Sequence, residues 1–145
     1  MRIRRMTLQD AEAVYEISQN SFSESWTLES IQKEAGNPVA SYFVAECDGV
    51  VVGYGGLWHV LDEGEVINIA VNKPFRKQRI GEKLLESLFE EAKAYHLGVI
   101  HLEVRESNIP ARRLYEKFCF KEIARRKGYY HQPTEDAIIM EWVKA

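Results

Sequence analysis

The fold of this chain is decided by residues 66–85, which read VINIAVNKPFRKQRIGEKLL. The first six residues predict a mostly apolar β-strand, residues 72–79 predict a basic turn that contains a proline, and the remainder begins an amphipathic helix. The first N–H groups of a helix have no partners within it, and its dipole places roughly half a positive charge there. A strand, a basic turn and a helix in this order therefore predict a binding site for a phosphate or diphosphate group.

The turn adds the positive side chains of Arg76, Lys77 and Arg79 to that helix end. A basic loop before a helix is equally often only a solvated connection, so the residues alone leave both interpretations open. Segment 76–81 resembles the acetyl-CoA signature of the GNAT acetyltransferases: Arg or Gln, two residues, Gly, one residue, then Gly or Ala. Arg76 and Gly81 match this pattern, whereas Arg79 stands where the family usually has Gly.

An Arg79 in ordinary helical conformation would still present its backbone N–H, and its side chain could add a charge-assisted contact to a phosphate. The resemblance implies that acetyl-CoA is the acetyl donor and that its pantetheine lies along residues 69–71 like an added strand. The cofactor-binding residues implied in this way are Ile69, Ala70, Val71, Arg76, Lys77, Gln78, Arg79, Ile80, Gly81, Glu82 and Asn108.

Length and composition limit the kind of protein. The 145 residues fit one domain, residues 1–145, because a domain of this size buries roughly 68–70% of its unfolded surface. The formal net charge of −3 argues against a general nucleic-acid surface. No segment approaches the roughly 20 apolar residues of a membrane span, and no signal-peptide core follows Met1. We expect a cytoplasmic protein that binds neither nucleic acid nor membrane.

Cysteine and histidine residues give no indication of a metal site or a disulfide. Cys47 and Cys119 are far apart in unlike contexts, so free thiols are expected. Neither has the neighbouring histidine that a catalytic thiol requires, and the four histidines lack metal-ligand spacing. We therefore predict no metal.

The remaining patterns predict the order of secondary structure: strand, two helices, three meandering strands, helix, strand, helix and two strands. Local signals are helix caps at Thr7, Thr27 and Asn108, a two-residue hairpin at Asp48-Gly49, a strand at 65–71 and a helix at 80–97. This is the order of a GNAT domain. The resemblance implies an α/β fold with a mixed, mostly antiparallel sheet of about seven strands, splayed between strands four and five and flanked by about four helices.

Two residues suit the proton transfers of acetyl transfer to an amine. Glu103 stands in an apolar strand, where a carboxylate loses hydration and accepts a proton more readily, although a glutamate at a strand end more often forms an ion pair, here with a residue such as Arg105. Tyr115 carries a phenol that stays protonated at neutral pH and can protonate a leaving thiolate. Read singly, a tyrosine in a helix is more often a core residue.

Residues 102–120, LEVRESNIPARRLYEKFCF, closely resemble the RimI-type ribosomal-protein alanine N-acetyltransferases within the GNAT superfamily. In that family the Glu is the base, the Asn contacts the cofactor and the Tyr is the acid, which implies these roles for Glu103, Asn108 and Tyr115. Segments 68–71, 126–130 and 135–140 are similar too. Cys119 departs from the pattern because the family usually has Gly there, so entry into the following strand is expected to be strained.

The acceptor is less well defined by the sequence. Phe22 and Trp26 lie in a polar loop, where they either cover the core or form the wall of a substrate groove, and with Tyr130 they are the predicted substrate-binding residues. The resemblance implies a monomer or weak dimer that acetylates the N-terminal alanine of a small-subunit ribosomal protein. Another N-terminus, a lysine side chain, a small amine, or an acyl-CoA-binding domain without catalysis remain alternatives.

Overall fold

The structure is a computed structural model that describes residues 1–145. Its strands are β1 (Arg2–Arg5), β2 (Ala40–Cys47), β3 (Val50–Val60), β4 (Glu63–Val71), β5 (Val99–Arg105), β6 (Lys121–Tyr130) and β7 (Glu135–Val143). Its helices are α1 (Ala11–Ser21), α2 (Leu28–Ala35), α3 (Ile80–Ala94) and α4 (Ile109–Lys117), with short 3₁₀ turns at Leu8–Asp10 and Lys73–Phe75. The predicted order of elements is confirmed.

The seven strands form one sheet in the order β1-β2-β3-β4-β5-β7-β6. Only β4 and β5 run parallel, and all other neighbours are antiparallel. The parallel pair is joined through α3, because a strand that returns in the same direction needs a crossover element. The predicted mixed, mostly antiparallel α/β sheet is therefore confirmed.

Local sequence signals fix several of these boundaries. The Asp48-Gly49 turn joins β2 to β3 with φ angles of 49° and 80°, as a two-residue hairpin requires. Thr27 caps α2, since its hydroxyl accepts a hydrogen bond from the Ser30 N–H at 3.1 Å. The cap predicted at Asn108 forms in the same way, through the N–H of Ala111 at 3.3 Å.

Two predicted boundaries were wrong by a few residues. β4 begins at Glu63 instead of Glu65, because the preceding turn is made one step earlier by Leu61, with a φ of 56°. Helix α3 ends at Ala94 instead of Leu97, because His96 and not Gly98 adopts the left-handed conformation after it, with a φ of 56°.

Helices cover the sheet on both faces. The larger core lies beneath α3 and α4 and includes Leu85, Leu88, Leu102, Phe120 and Met140. A second core beneath α1 and α2 includes Val14, Ile17, Ile31, Val44 and Tyr54. No helix in the structure is both long enough and apolar enough to cross a membrane. The α1 and α2 pair covers β2 to β4, so the same face of β5 to β7 stays open.

Gly56 in β3 generates a stability prediction, because the Cβ of an alanine there would lie 2.3 Å from Cε1 of Tyr42. Tyr42 cannot easily move, since its hydroxyl donates to Glu34 Oε1 at 2.8 Å. We expect Gly56→Ala to lower the free energy of unfolding by about 1–3 kcal/mol, measured by urea denaturation. Gly98→Ala is the matched control, since its Cβ would meet no atom closer than 3.9 Å. Equal losses in both variants would contradict the overpacking argument.

Candidate active site

The strands β4 and β5 diverge after a short paired segment. Their backbone pairing is limited to Glu63 with Val99, Gly64 with Ile100 and Glu65 with His101. β4 continues to Val71 and β5 to Arg105, so their facing edges separate beyond residues 65 and 101. This confirms the predicted splay between the fourth and fifth strands.

A β-bulge in β4 lies just beyond this point. Gly56 pairs with Asn68 while Leu57 pairs with Val66, so Ile67 is an extra residue in the ladder between β3 and β4. A bulge bends its strand and increases the local twist. The bulge at Ile67 therefore changes the direction of β4 just beyond the residues at which β4 and β5 stop pairing.

Two connected cavities occupy the gap. The first, here called the α3 cleft, has a volume of about 620 Å³ and lies between the end of β4, the start of α3 and α4. The second, here called the aromatic groove, has a volume of about 490 Å³ and lies on the open face of the sheet. Both are lined by Ser21, Phe22, Ile69, Asn108, Ala111 and Tyr115. The two cavities therefore meet at these six residues.

The start of α3 forms the basic wall of the α3 cleft. The residue before the helix, Arg79, makes no side-chain capping hydrogen bond, so the first-turn N–H groups keep the positive end of the dipole open. Arg76, Lys77 and Arg79 line the same cleft, and Arg76 Nε donates to the Val71 carbonyl at 2.8 Å. A helix end with nearby cations is suited to a diphosphate.

The expectation that Arg79 adopts an ordinary helical conformation was wrong. Its φ and ψ are 62° and 19°, and Lys77 also has a positive φ of 64°. Cys119 has a φ of 71°, in agreement with the strain expected before β6. A left-handed conformation costs a residue with a Cβ roughly 1–2 kcal/mol, whereas Gly adopts it freely. The family usually has Gly at the positions of Arg79 and Cys119. The left-handed backbone conformation at both positions explains that preference.

The other residues predicted for the cofactor differ in their positions. All of them line the α3 cleft except Gln78, whose side chain is directed toward the Pro74 carbonyl at 3.5 Å. At Gly81 an added Cβ would already contact Leu114 at 3.6 Å and Ile69 at 3.8 Å. Gly81 therefore lies where α3 approaches α4 and β4 closely, with room for little more than a methyl group.

Glu82 places a carboxylate in the first turn of α3, beside the cationic residues. Its carboxylate contacts Lys117 Nζ, and this hydrogen bond holds the pKa of Glu82 below its usual value. The carboxylate remains ionised at neutral pH, but its charge is compensated by Lys117. The positive character of the cleft is therefore preserved.

Tyr115 lies on α4 where the two cavities meet. Its residue is only 6% exposed, and its ring packs edge-on against Phe120 at a centroid distance of 5.7 Å. Burial raises the pKa of Tyr115 above the ordinary value of a phenol. The hydroxyl therefore stays protonated at neutral pH and can act as a proton donor.

Glu103 lies on β5 and lines the aromatic groove. Its carboxylate is 3.7 Å from Arg126 Nη1, a long contact with a side chain that is 60% exposed. The Glu103 carboxylate also raises the pKa of the neighbouring Tyr129. The predicted alternative partner, Arg105, instead pairs with Glu135 at 3.2 Å. Glu103 is thus accessible from the groove and only loosely paired.

The predicted acceptor residues Phe22, Trp26 and Tyr130 all line the aromatic groove. The Tyr130 ring lies beneath the Arg105 guanidinium at 4.4 Å, which fixes its orientation. Trp26 packs near Trp58, with ring centroids 6.3 Å apart. The structure thus brings the predicted aromatic side chains together with Glu103 and Tyr115 around one groove.

Most of the other residues that line this groove were not predicted from the sequence, among them Ser21, Trp58 and Glu65. Ser21 Oγ is buried without a hydrogen-bond partner where the two cavities meet. Trp58 Nε1 donates to Glu34 Oε1 at 2.6 Å, which fixes the indole ring. The alternation of β3 indicated which face Trp58 occupies, but no local signal indicated that this face was uncovered.

The titratable side chains form no metal-binding group, since no three His, Cys, Asp or Glu residues are positioned to hold an ion. Cys47 and Cys119 form no disulfide.

Comparison with known proteins agrees with this geometry. The model of the acetyltransferase (GNAT) family matches residues 11–120. The ribosomal protein bS18 alanine N-acetyltransferase of Escherichia coli (strain K12) is 34% identical over 135 residues, which are 90% of this chain and 89% of the relative. A Bacillus subtilis (strain 168) relative that carries the same name provisionally is 44% identical over 142 residues, 97% of this chain and 93% of the relative.

Solved structures give the same result. The crystal structure of the ribosomal-protein-S18-alanine N-acetyltransferase from Escherichia coli superposes with a TM-score of 0.90 at 31% identity, covering 98% of this chain and 92% of that one. Arabidopsis thaliana NAA60 in complex with acetyl-CoA shares the fold, with a TM-score of 0.87 at 18% identity and coverage of 98% and 97%. This chain therefore belongs to the GNAT family of acetyltransferases.

Proposed function

We propose that this protein transfers an acetyl group from acetyl-CoA to the N-terminal α-amino group of a protein, and that its acceptor begins with alanine and is a small-subunit ribosomal protein. The relatives that are 44% and 34% identical are both named for acetylation of alanine on ribosomal protein bS18, which supports this acceptor. The observation that carries the proposal is the meeting of the α3 cleft and the aromatic groove at Tyr115. We further infer that the enzyme acts in the cytoplasm as a monomer or weak dimer.

The α3 cleft suits acetyl-CoA in its charge and in its unpaired strand edge. The uncapped start of α3 with Lys77 and Arg79 would hold the diphosphate, and the free edge of β4 at Ile69 to Val71 would pair with the pantetheine amides. Asn108 and Gly81 line the same cleft. Acetyl-CoA supplies an activated thioester, whose carbonyl carbon would lie where the two cavities join.

Tyr115 at this junction and Glu103 in the adjoining aromatic groove would provide the required proton transfers. In the transfer the amine nitrogen forms a bond to the acetyl carbon and the bond from carbon to sulfur breaks. Glu103 accepts the proton that the amine loses, directly or through a water molecule, and Tyr115 donates the proton that the thiolate needs. Backbone N–H groups on the edge of β4 near Ala70 would stabilise the negative charge on the carbonyl oxygen.

A panel of acceptors tests the proposed reaction. We expect acetylation of an alanine-initiated peptide, measured by mass spectrometry, and no reaction when the α-amine of that peptide is blocked. Acetylation of a lysine side chain or of a polyamine, with the alanine-initiated peptide left unmodified, would contradict the acceptor. Thermal stabilisation by CoA without transfer to any amine would instead indicate a binding domain without catalysis.

The acid role of Tyr115 is tested by Tyr115→Phe. This change removes only the hydroxyl, so we expect acetyl-CoA to bind as before while kcat falls by about 10²- to 10⁴-fold. Tyr95→Phe is the control, since Tyr95 stacks on His59 and lines neither cavity. An unchanged kcat of Tyr115→Phe at saturating peptide would remove Tyr115 from the mechanism.

The phosphate role of the basic turn is tested by the double change of Lys77→Gln and Arg79→Gln. Charge-assisted contacts to the diphosphate would be lost, so KM for acetyl-CoA should rise at least about tenfold. KM for acetyl-pantetheine, which has no diphosphate, should not change. Lys93→Gln, in the last turn of α3, serves as the control for loss of a positive charge away from the cleft. A parallel rise in KM for both donors would show that the phosphates are bound elsewhere.

A further inference from the structure

Glu65 and Trp58 form a neighbouring pair on the wall of the aromatic groove. Trp58 in β3 lies directly opposite Glu65 in the antiparallel ladder, and Glu65 pairs in turn with His101 of β5. Residues that lie opposite each other in a sheet project from the same face. Because residues 101 and 103 are two apart, Glu103 projects from that face as well. The pair and Glu103 therefore share one open surface.

Glu65 differs from the other charged residues that line the groove. Glu24 accepts a hydrogen bond from the His131 N–H at 2.8 Å, Arg105 pairs with Glu135, and Glu103 lies near Arg126. Glu65 takes part in no ion pair or hydrogen bond.

The environment of Glu65 favours a cation. Solvent reaches this carboxylate, but the concave wall removes part of its hydration, and the charge of Glu103 repels it, so the pKa of Glu65 is raised. An ammonium or guanidinium group placed beside Glu65 would relieve both effects. His101 and Arg126 offset part of this rise in pKa, but they pair with Glu141 and Glu103 and form no ion pair with Glu65.

Trp58 adds the second half of a cation site. Its indole N–H is committed to Glu34, so the ring is held by a hydrogen bond while it lines the groove. The face of an indole ring attracts Lys and Arg side chains, most strongly when water is partly displaced. A carboxylate and an indole opposite each other can thus contact one cation from two sides.

We propose that Glu65 and Trp58 bind a cationic side chain of the acceptor peptide, and that Glu65 makes the enzyme select acceptors with Lys or Arg at the second or third position. The inference rests on the proposed acetylation of a peptide N-terminus. Glu103 lies two residues, or about 7 Å, along β5 from the residue paired with Glu65. An extended peptide advances about 3.5 Å per residue, so the cation belongs to the second or third residue of the acceptor.

The test uses alanine-initiated peptides that carry Lys, Gln or Glu at position 2 or position 3. For the wild-type enzyme we expect kcat/KM at one of these positions to be about three- to tenfold higher with Lys than with Glu. Glu65→Gln should abolish this preference, so that kcat/KM for the Lys peptide falls to the level of the Gln peptide with the same enzyme. Glu65→Lys should reverse the preference, so that the Glu peptide becomes the better acceptor.

Glu63→Gln is the matched control, since Glu63 lies on the same strand but does not line the groove. Equal kcat/KM for Lys and Glu peptides with the wild-type enzyme would overturn the inference, as would a preference that survives in Glu65→Gln. If Glu65→Gln lowered kcat/KM equally for all peptides, the inference would also be overturned, because such a loss would indicate a role at the reacting amine. The Gln peptide separates the two proposals, since its acetylation by the wild-type enzyme tests the reaction independently of charge.

Discussion

The early end of backbone pairing between β4 and β5 is the constraint on which the rest of the site depends. Each strand stays paired along its other edge, β4 with β3 up to Val71 apart from the bulge at Ile67, and β5 with β7 up to Arg105. The gap is therefore a rigid opening between two well-supported strands and not a frayed end of the sheet. Backbone groups on such an edge need partners, and an extended ligand can supply them as a further strand would. The bulge at Ile67 and the crossover through α3 place this edge beside the positive helix end.

The side chains of the groove wall also pack on the core. Phe22 and Trp26 were predicted either to cover the core or to form the wall of a groove. Each residue does both, because it packs on the core beneath α1 and α2 and also lines the aromatic groove. Glu34 connects this wall to β2 and β3, since its carboxylate accepts hydrogen bonds from Tyr42 and Trp58. A carboxylate on α2 thus orients an indole that faces the groove.

The features that were predicted correctly from the sequence are determined by short segments of the chain. The Asp48-Gly49 hairpin and the cap at Thr27 each depend on two to four neighbouring residues. The left-handed conformation of Arg79 was missed because its side chain gives no hint of a backbone angle that Gly usually provides. The partner of Glu103 was missed because Arg126 arrives on β6, two strands away in the sheet. Register across several strands is not encoded in any single segment.

The two cavities carry opposite charges, although the chain as a whole has a modest net charge of −3. The α3 cleft is lined by cationic side chains at a helix start, and the aromatic groove contains the loosely paired Glu103 and the unpaired Glu65. An anionic donor and a cationic acceptor would each be attracted to its own cavity and repelled from the other. Tyr115 lies between them as a neutral group, because burial raises its pKa and keeps the phenol protonated. Charge separation would therefore orient both substrates before any residue takes part in proton transfer.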